Sequence, residues 1–199
     1  MKRVLMLVFV SFFVGLSAFA GPFGLSNGMT LEQVTEACGG VKPKKIENDD
    51  RYLIQPVKRH SMFKTYIACI SKDFGLYSLR VISSEIKTNN SGEEIKNEFY
   101  AFKERLEKIY GKSKLNDEIT DSKNSLTENA SDWLLTLYQG ARTLSAEWEN
   151  LSSSELKQIK LDAECFSLPK TCLVLDYIFA NQEKKVENLE NVYFGDEVL

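Results

Sequence analysis

The clearest pattern of hydrophobic and polar positions lies in residues 91–111. Apolar side chains recur there at intervals of three or four residues, at Ile95, Phe99, Phe102, Leu106 and Ile109. These intervals place them on one face of an α-helix, because a helix turns once in about 3.6 residues. Ser91 and Glu94 match an S-x-x-E capping box, and Gly111 stands where a left-handed C-terminal cap would end the helix. The pattern predicts a central helix that supplies a shared core.

Alternation of apolar and polar residues predicts two groups of strands. The first group precedes the central helix and comprises residues 52–57, 62–71 and 75–83. The second group follows it and comprises residues 142–148, 159–166 and 172–180. β-Branched and aromatic residues are frequent in these segments, and short polar turns separate neighbouring strands. Strands with such short connections pair antiparallel, so each group is predicted to form a meander.

Three shorter helices are predicted from similar signals. Thr30 and Gln33 match a capping box, and Gly39 ends the helix of about two turns that follows. After Ser131, a candidate N-cap, apolar residues recur with helical spacing at Trp133, Leu134, Leu137 and Tyr138. A short charged helix is expected at residues 183–192. The first two helices each precede a group of strands.

Polar residues dominate segments 41–50 and 112–129, which are predicted to be loops, the second one long and exposed. Together these elements predict an α+β fold, in which an antiparallel sheet of two strand meanders packs against helices on one side. Residues 21–199 are expected to form a single α+β domain, or two α–β halves joined by the helix at 91–111.

The first 20 residues have the three parts of a secretory signal peptide. Lys2 and Arg3 precede an apolar run, and the segment ends in the small-residue pattern Ala18-Phe19-Ala20. A membrane anchor is the alternative, but the 17 residues from Val4 to Ala20 are short for a span and no charged residue follows them directly. We predict cleavage after residue 20, a periplasmic or secreted product, and no membrane span after cleavage.

Loss of Lys2 and Arg3 with the signal peptide changes the formal net charge from −3 to −5. This acidic balance argues against a generic nucleic-acid binder. Positive charge is nevertheless concentrated between residues 41 and 64, and the candidate binding residues there are Lys42, Lys44, Lys45, Lys58, Arg59 and His60. The expected partner is another protein or an anionic component of the envelope. Solvated surface charge is the alternative interpretation.

All four cysteines follow the predicted cleavage site. An even number of cysteines in an exported protein favours disulfides. Cys165 and Cys172 flank a turn that contains a proline, so we predict one bond between them and a second between Cys38 and Cys69. Zinc is the rival interpretation, but the chain has no C-x-x-C spacing and only one histidine. No metal site is therefore predicted.

The residue types needed for catalysis do not occur in catalytic combinations. A serine or cysteine nucleophile needs a base, and His60 stands alone in a Lys- and Arg-rich turn, where a solvated side chain is expected. Adjacent carboxylates such as Glu93 and Glu94 lie in polar surroundings. Gly39 and Gly40 lack the context of a nucleotide-binding loop. The sequence predicts neither an enzyme nor a cofactor.

Residues 27–34 read NGMTLEQV and lead into Cys38-Gly39-Gly40. This opening resembles the GMT-x-x-x-V…G motif of a group of bacterial envelope proteins. The group contains the small outer-membrane assembly lipoproteins of the BamE/SmpA type and the similarly folded β-lactamase inhibitory proteins. The resemblance implies a short helix that enters a strand meander, and it covers about 14 of 199 positions. This chain has no lipid-attachment cysteine after the signal peptide and does not repeat the motif in its second half.

The chain as a whole resembles a set of secreted bacterial proteins with an FGL-x-x-GMT opening and a later D-W-L/M…R…W segment. That segment corresponds here to Asp132-Trp133-Leu134, Arg142 and Trp148. The resemblance implies fold and compartment and brings no activity with it. We therefore predict an exported non-catalytic binding or interaction protein of the bacterial envelope. The alternative is an inhibitor of a secreted enzyme such as lysozyme or β-lactamase, acting through a protruding loop such as 112–129.

Overall fold

The structure is a computed structural model that describes residues 21–46, 50–119, 132–152 and 155–183. The predicted signal peptide lies outside these ranges, as does all but the first residue of the helix predicted at 183–192. Three helices occur in the described ranges, α1 (Leu31–Ala37), α2 (Glu93–Tyr110) and α3 (Trp133–Tyr138). A 3₁₀ turn at Pro22–Gly24 precedes them.

Nine strands are present in the described residues. The first five are β1 (Lys44–Lys45), β2 (Arg51–Leu53), β3 (Phe63–Ser71), β4 (Gly75–Ser83) and β5 (Ile86–Lys87). The remaining four are β6 (Lys114–Ile119), β7 (Arg142–Trp148), β8 (Leu156–Ser167) and β9 (Lys170–Phe179). The predicted α+β class is confirmed.

The strands form one sheet in the order β1-β2-β3-β4-β9-β8-β7-β6, and β5 pairs with β9. Every described strand pair is antiparallel. Two meanders are therefore present, one from β1 to β4 and one from β6 to β9. They join where β4 pairs with β9, so the last strand of each half lies inside a shared sheet.

The two faces of the sheet differ because successive side chains of a strand point to opposite sides. Leu79 of β4 lies opposite Tyr177 of β9, which lies opposite Ile159 of β8, and all three are buried. The next residue of β4, Arg80, lies opposite Asp176 on the other face. One face therefore belongs to the hydrophobic core, and the other carries charged residues.

Helix α2 buries the predicted stripe except at its end. Ile95, Phe99, Phe102 and Leu106 are buried in the core cluster. Ile109, however, is 70% exposed, so its predicted burial is wrong. The last turn instead packs Tyr110 against Tyr177 of β9, with ring centroids 6.5 Å apart. The aromatic partner available on the sheet decides which residue of this turn packs against the core.

The start of α2 also differs from the prediction. Gly92, with φ of +72°, is the N-cap, and the Asn89 side chain accepts a hydrogen bond from the Glu93 N–H. Ser91 and Glu94 do not form a capping box: Ser91 donates to Asn89, and Glu94 accepts from the Asn89 N–H. Because Asn89 Oδ1 accepts a hydrogen bond from the first turn of α2, Asn89 takes the role that the sequence pattern gave to Ser91.

Two other predicted caps are present. Gly111 ends α2 with φ of +88°, and its N–H donates to the Glu107 carbonyl oxygen at 3.0 Å. At α1 the Gln33 N–H donates to Thr30 Oγ1 at 3.3 Å, and the Thr30 N–H donates to Gln33 Oε1 at 2.9 Å. The capping box predicted for the first helix is confirmed.

The segment before α1 is held against the turn between β3 and β4. The Gly28 N–H donates to the Leu76 carbonyl oxygen at 2.9 Å, and the Leu76 N–H donates to the Met29 carbonyl oxygen at 2.8 Å. Gly75 adopts φ of +74°, and a Cβ there would lie 2.2 Å from the Gly28 oxygen. The glycine at 75 therefore permits the close approach that positions α1.

The loop predicted at 112–129 is wrong in its first part. Lys114–Ile119 form strand β6, in which Lys114 lies opposite Glu147 and Ile119 opposite Arg142. Five of its six residues are exposed. An edge strand with exposed side chains can be polar at most positions, because β7 supplies its backbone hydrogen bonds. Residues 120–129 lie outside the described ranges.

The strand predicted at 52–57 is shorter than expected. Strand β2 spans Arg51–Leu53 and pairs with residues 67–69 of β3. Pro56 lies just beyond it and has no N–H to donate to a ladder. The chain then leaves the sheet, which places residues 58–62 in a turn rather than directly after a strand.

The predicted disulfides are wrong. All four cysteines lie in the described residues and are present as thiols. Cys165 lies opposite Thr171, and Cys172 lies opposite Glu164, so the two thiols occupy adjacent register positions on opposite faces. Cys38 belongs to the core cluster, whereas Cys69 lies opposite Ser78 in the ladder between β3 and β4. The register of the sheet, which sequence spacing does not reveal, keeps the thiols apart.

Candidate functional site

The turn that precedes β3 (residues 58–62, the His60 turn) has a fixed backbone. The His60 N–H donates to Tyr66 Oη at 3.2 Å, and the Tyr66 hydroxyl in turn donates to the His60 carbonyl oxygen at 3.4 Å. The same carbonyl accepts from the Phe63 N–H at 3.1 Å. Tyr66 is buried, so the turn is anchored to the core of the sheet.

The imidazole of His60 is half-buried, in contrast to the solvated side chain that the sequence suggested. Its ring centroid lies 5.9 Å from that of Phe63 and 5.7 Å from that of Phe102 on α2. Nδ1 accepts a hydrogen bond from the Met62 N–H at 3.2 Å, so the neutral ring carries its proton on Nε2. Packing and hydrogen bonds therefore fix both the position and the tautomer of this side chain.

Three adjoining pockets meet at His60, and we call them together the His60 groove. The first has a volume of about 280 Å³ and is lined by Gly21, Phe23, Gly24, Lys58, Arg59 and His60. The second has a volume of about 410 Å³ and is lined by Ile54, Gln55, Arg59, His60, Ser61, Phe63, Lys64 and Tyr66.

The third pocket lies between the His60 turn and α2. It has a volume of about 300 Å³ and is lined by His60, Ser61, Met62, Ser83, Ser84, Ile86, Glu98 and Arg105. The groove thus combines residues of the N-terminal 3₁₀ turn, the His60 turn, strands β3 to β5 and helix α2. Residues far apart in sequence form one surface.

Among the described residues, four cationic side chains line the groove, Lys58, Arg59, Lys64 and Arg105, and Glu98 is the one carboxylate. None of the four forms an ion pair in the described part of the chain. Unpaired lysines such as Lys72 also occur elsewhere on the surface, but the four cations of the groove surround one side chain. Their charge is available to an anionic ligand.

The floor of the groove is aromatic. Phe23 in the 3₁₀ turn has a positive φ of 58°, which is uncommon for a residue with a side chain. Its ring centroid lies 5.2 Å from that of Tyr66 and 6.1 Å from those of Phe63 and Tyr177. Backbone strain of this kind persists only where the surrounding packing fixes it. The rings therefore hold this end of the groove in one shape.

The structure separates the basic residues that the sequence grouped together. Lys58, Arg59 and His60 lie in the groove. Lys44 and Lys45 form the edge strand β1, and Lys42 is exposed in the segment before it; none of these three lines the groove.

Sequence reasoning missed Arg105 as a member of the site. It lies on the polar face of α2, where the sequence pattern gives no reason to distinguish it from other solvated charges. Lys64 ends the basic segment at residues 41–64, and that concentration of positive charge was the only sequence signal for its role. Only the packing of α2 beside the His60 turn joins these cations.

A second charged cluster crosses the sheet on the face opposite the core. Arg80 lies opposite Asp176, Asp176 opposite Lys160, Lys160 opposite Glu147, and Glu147 opposite Lys114. The signs alternate across five strands, and the Arg80–Asp176 contact is 2.8 Å. Each charge has an opposite neighbour, so we interpret this row as a structural network.

Two further carboxyls lie beside that row. Burial raises the pKa of Asp162, against the opposing effect of Lys160, whose Nζ lies 3.0 Å from the carboxylate. Burial also raises the pKa of Glu164, and the charge of Arg80 opposes the rise. At both carboxyls, desolvation therefore raises the pKa by more than the neighbouring positive charge lowers it.

A third cluster surrounds Trp133 at the start of α3. Lys96 Nζ lies 4.2 Å from the centroid of the Trp133 ring, and the guanidinium carbon of Arg142 lies 5.8 Å from it. Arg142 also pairs with Asp117 at 2.9 Å. These cation–π contacts join α2 and α3 to β7.

Within the described residues, no group of three or more His, Cys, Asp or Glu side chains is placed to hold a metal ion. None of the helices in those ranges has the length and apolar character to span a bilayer. Burial raises the pKa of the Cys172 thiol to about 11 and raises the pKa of Cys38 as well, which disfavours the thiolate needed for nucleophilic attack.

Comparison of the chain with protein-family models, with curated proteins and with solved structures found no match.

Proposed function

We propose that the protein is an exported, non-catalytic binding protein of the bacterial envelope, and that the His60 groove holds an anionic group of its partner. The observation that supports this most directly is that four cations, none of which forms an ion pair with another described residue, line the pockets that share His60. The signal-peptide pattern of residues 1–20 supports export.

Electrostatics explain why such an arrangement favours binding. Lys58, Arg59, Lys64 and Arg105 line adjoining pockets, so positive charge predominates along the groove. A concave surface of one sign raises the local concentration of opposite charge. The fixed Nε2–H of His60 adds one directional donor at the centre of the groove.

The fold supports an interaction role in a second way. We place the three helices on one face of the sheet, because their buried side chains share one core cluster with one set of alternating strand residues. Helix α1 is followed by the meander β1 to β4, which is the order implied by the resemblance of the opening at Gly28, Met29 and Thr30 to envelope assembly and inhibitory proteins. The groove then lies where the edge of the helical layer meets the sheet.

A charge-reversal experiment tests the proposal. The variant Lys58→Glu/Arg59→Glu is expected to lose partners that the native chain captures from envelope extracts, and capture by the native chain is expected to weaken with salt. The matched control is Lys42→Glu/Lys44→Glu, which reverses two cations of the same basic segment outside the groove. Equal capture by both variants, or salt-independent capture, would exclude the groove as the binding site.

The inhibitor hypothesis has support from strand β6. Leu115 and Ile119 are 44% and 39% exposed on a strand that pairs on one side with β7. An edge strand with exposed apolar residues is a surface on which another protein can pair. Inhibition of a panel of lysozymes and β-lactamases by the native chain, abolished by Leu115→Lys/Ile119→Lys, would establish it. If these enzymes keep full activity at a saturating concentration of the native chain, the inhibitor hypothesis is excluded.

A further inference from the structure

We infer that the anionic group in the His60 groove belongs to a short protein segment in which acidic and apolar residues alternate. This inference rests on the proposed binding function of the groove. According to this inference, the ligand is a polypeptide that carries several spaced carboxylates and not a single compact anion.

The first argument is the composition of each pocket. The first pocket combines the Phe23 ring with Lys58, and the second combines the Ile54 side chain with Lys64. The third repeats this combination with Ile86 and Arg105. A ligand that fills all three must present an apolar group and a negative charge repeatedly.

The second argument is the spacing of the cations. Lys58 lines only the first pocket, Lys64 only the second and Arg105 only the third; Arg59 lies between the first two. A single phosphate would reach the cations of one pocket and leave the others unpaired. Carboxylates on separate residues of an extended chain match a distributed set of cations better.

The third argument is the supply of hydrogen-bond donors. The backbone N–H groups of Arg59 and Ser61 make no hydrogen bond within the described chain. His60 Nε2 is likewise without a hydrogen-bond partner there. Carbonyl oxygens of a bound peptide accept from such donors, so backbone and side chains of the ligand can both be recognised.

The same surface is poorly suited to the other anionic macromolecules of an envelope. Phe63 and Phe102 are buried, with exposed fractions of 4% and 6%, so these rings cannot insert into a lipid surface. A hydrophilic polysaccharide would leave the partly exposed apolar side chains of Phe23 and Ile86 in contact with water. An acidic and apolar peptide satisfies both the cations and these apolar side chains.

The test is a binding assay with the full chain after the predicted cleavage site. Its probe is an array of labelled hexapeptides that carry glutamate and leucine in every order. Two comparison arrays replace glutamate by glutamine or leucine by serine. Peptides in which glutamate and leucine alternate are expected to bind more tightly than peptides with the same residues in separate blocks, and both replacements are expected to remove binding.

Variants place the peptide in the groove. Lys64→Gln and Arg105→Gln are each expected to raise the Kd by about fivefold, the effect of losing one partly exposed ion pair. Lys72→Gln, which removes a cation in the turn between β3 and β4, is the matched control and is expected to leave Kd unchanged. Circular dichroism of each variant confirms folding.

The remaining outcomes separate this inference from the proposed function. Inorganic phosphate, an acidic polysaccharide and phosphatidylglycerol vesicles are tested in the same assay. If one of these binds with dependence on Lys64 and Arg105 while no hexapeptide does, the peptide assignment is overturned and the anionic groove stands. If nothing binds and Lys58→Glu/Arg59→Glu still captures envelope partners, both the inference and the proposed site are overturned.

Discussion

Arg80 and Asp176 form a bidentate ion pair between β4 and β9, with Nε–Oδ1 and Nη2–Oδ2 distances of 2.8 Å. These strands end the two meanders, so the pair joins the two halves of the chain. The Arg80 side chain is 52% exposed, whereas that of Asp176 is only 16% exposed. Removal of the arginine therefore leaves a largely buried carboxylate without its main partner.

Arg80→Gln is expected to lower the free energy of unfolding by about 1–2 kcal/mol, because Asp176 then lacks a charged hydrogen-bond donor. Urea denaturation measures this change. Lys170→Gln, which breaks the more exposed pair with Glu85, is the control and is expected to cost less than about 0.5 kcal/mol. Both variants are expected to unfold in one transition; two separate transitions would show that the halves fold independently.

Glu107 makes the stability of α2 depend on pH. A hydrogen bond from Lys103 at 2.8 Å, with further ones from the Ser113 N–H and hydroxyl, lowers its pKa from 4.5 to about 2. A carboxyl with a lowered folded-state pKa stabilises the fold above its unfolded pKa, and this stability is lost as the pH falls through the folded pKa.

Glu107→Gln is therefore expected to destabilise the protein by roughly 1 kcal/mol at pH 7, and the difference from the native chain is expected to disappear as the pH falls from 4.5 to about 2. Denaturation curves across this pH range measure it. Glu104→Gln, on the exposed face of the same helix, is the control. A constant difference at every pH would show that Glu107 acts through packing and not through its charge.

Gly75→Ala is expected to destabilise the protein by about 3 kcal/mol, because the new Cβ meets the Gly28 carbonyl oxygen at 2.2 Å in addition to the strain of a positive φ. Gly40→Ala separates the two effects, since Gly40 also has a positive φ but no atom lies within 4 Å of the added Cβ. That control is expected to cost about 1–2 kcal/mol. Equal effects of the two substitutions would mean that Gly28 can move aside.

Phe102→Ala is expected to cost about 3–5 kcal/mol, because it opens a cavity between α2, Phe63 and His60. Ile109→Ala on the same helix is expected to cost less than about 0.5 kcal/mol, because that side chain is exposed. Chemical denaturation measures both. A large effect at Ile109 would mean that this side chain is buried as the sequence predicted, contrary to the structure.

The cysteines give a chemical test of the strand register. Four thiols are expected to react with a thiol reagent in denaturant without reductant, because no disulfide is formed. In the native protein Cys38 and Cys172 are expected to react slowly, since burial raises the pKa of each thiol. Mass spectrometry identifies the labelled positions. A mass deficit of two hydrogens per bond would show that disulfides form after all.

The sequence by itself determined the features that depend on neighbouring residues. The capping box at Thr30 and Gln33, the bounds of β7 at Arg142–Trp148 and the end of α2 at a glycine with positive φ, Gly111, all followed from local spacing. Such features are local because hydrogen bonds and side-chain periodicity within one element fix them.

Only the tertiary structure decided how these elements meet. The largely polar segment Lys114–Ile119 forms strand β6 because β7 provides partners for its backbone hydrogen bonds. The register between β8 and β9 places Cys165 and Cys172 on opposite faces of the sheet. Arg105 joined His60 because α2 packs beside the turn before β3. Contacts between residues distant in sequence depend on strand register and packing, and no local sequence pattern encodes these. The His60 groove and its four cations result from such contacts.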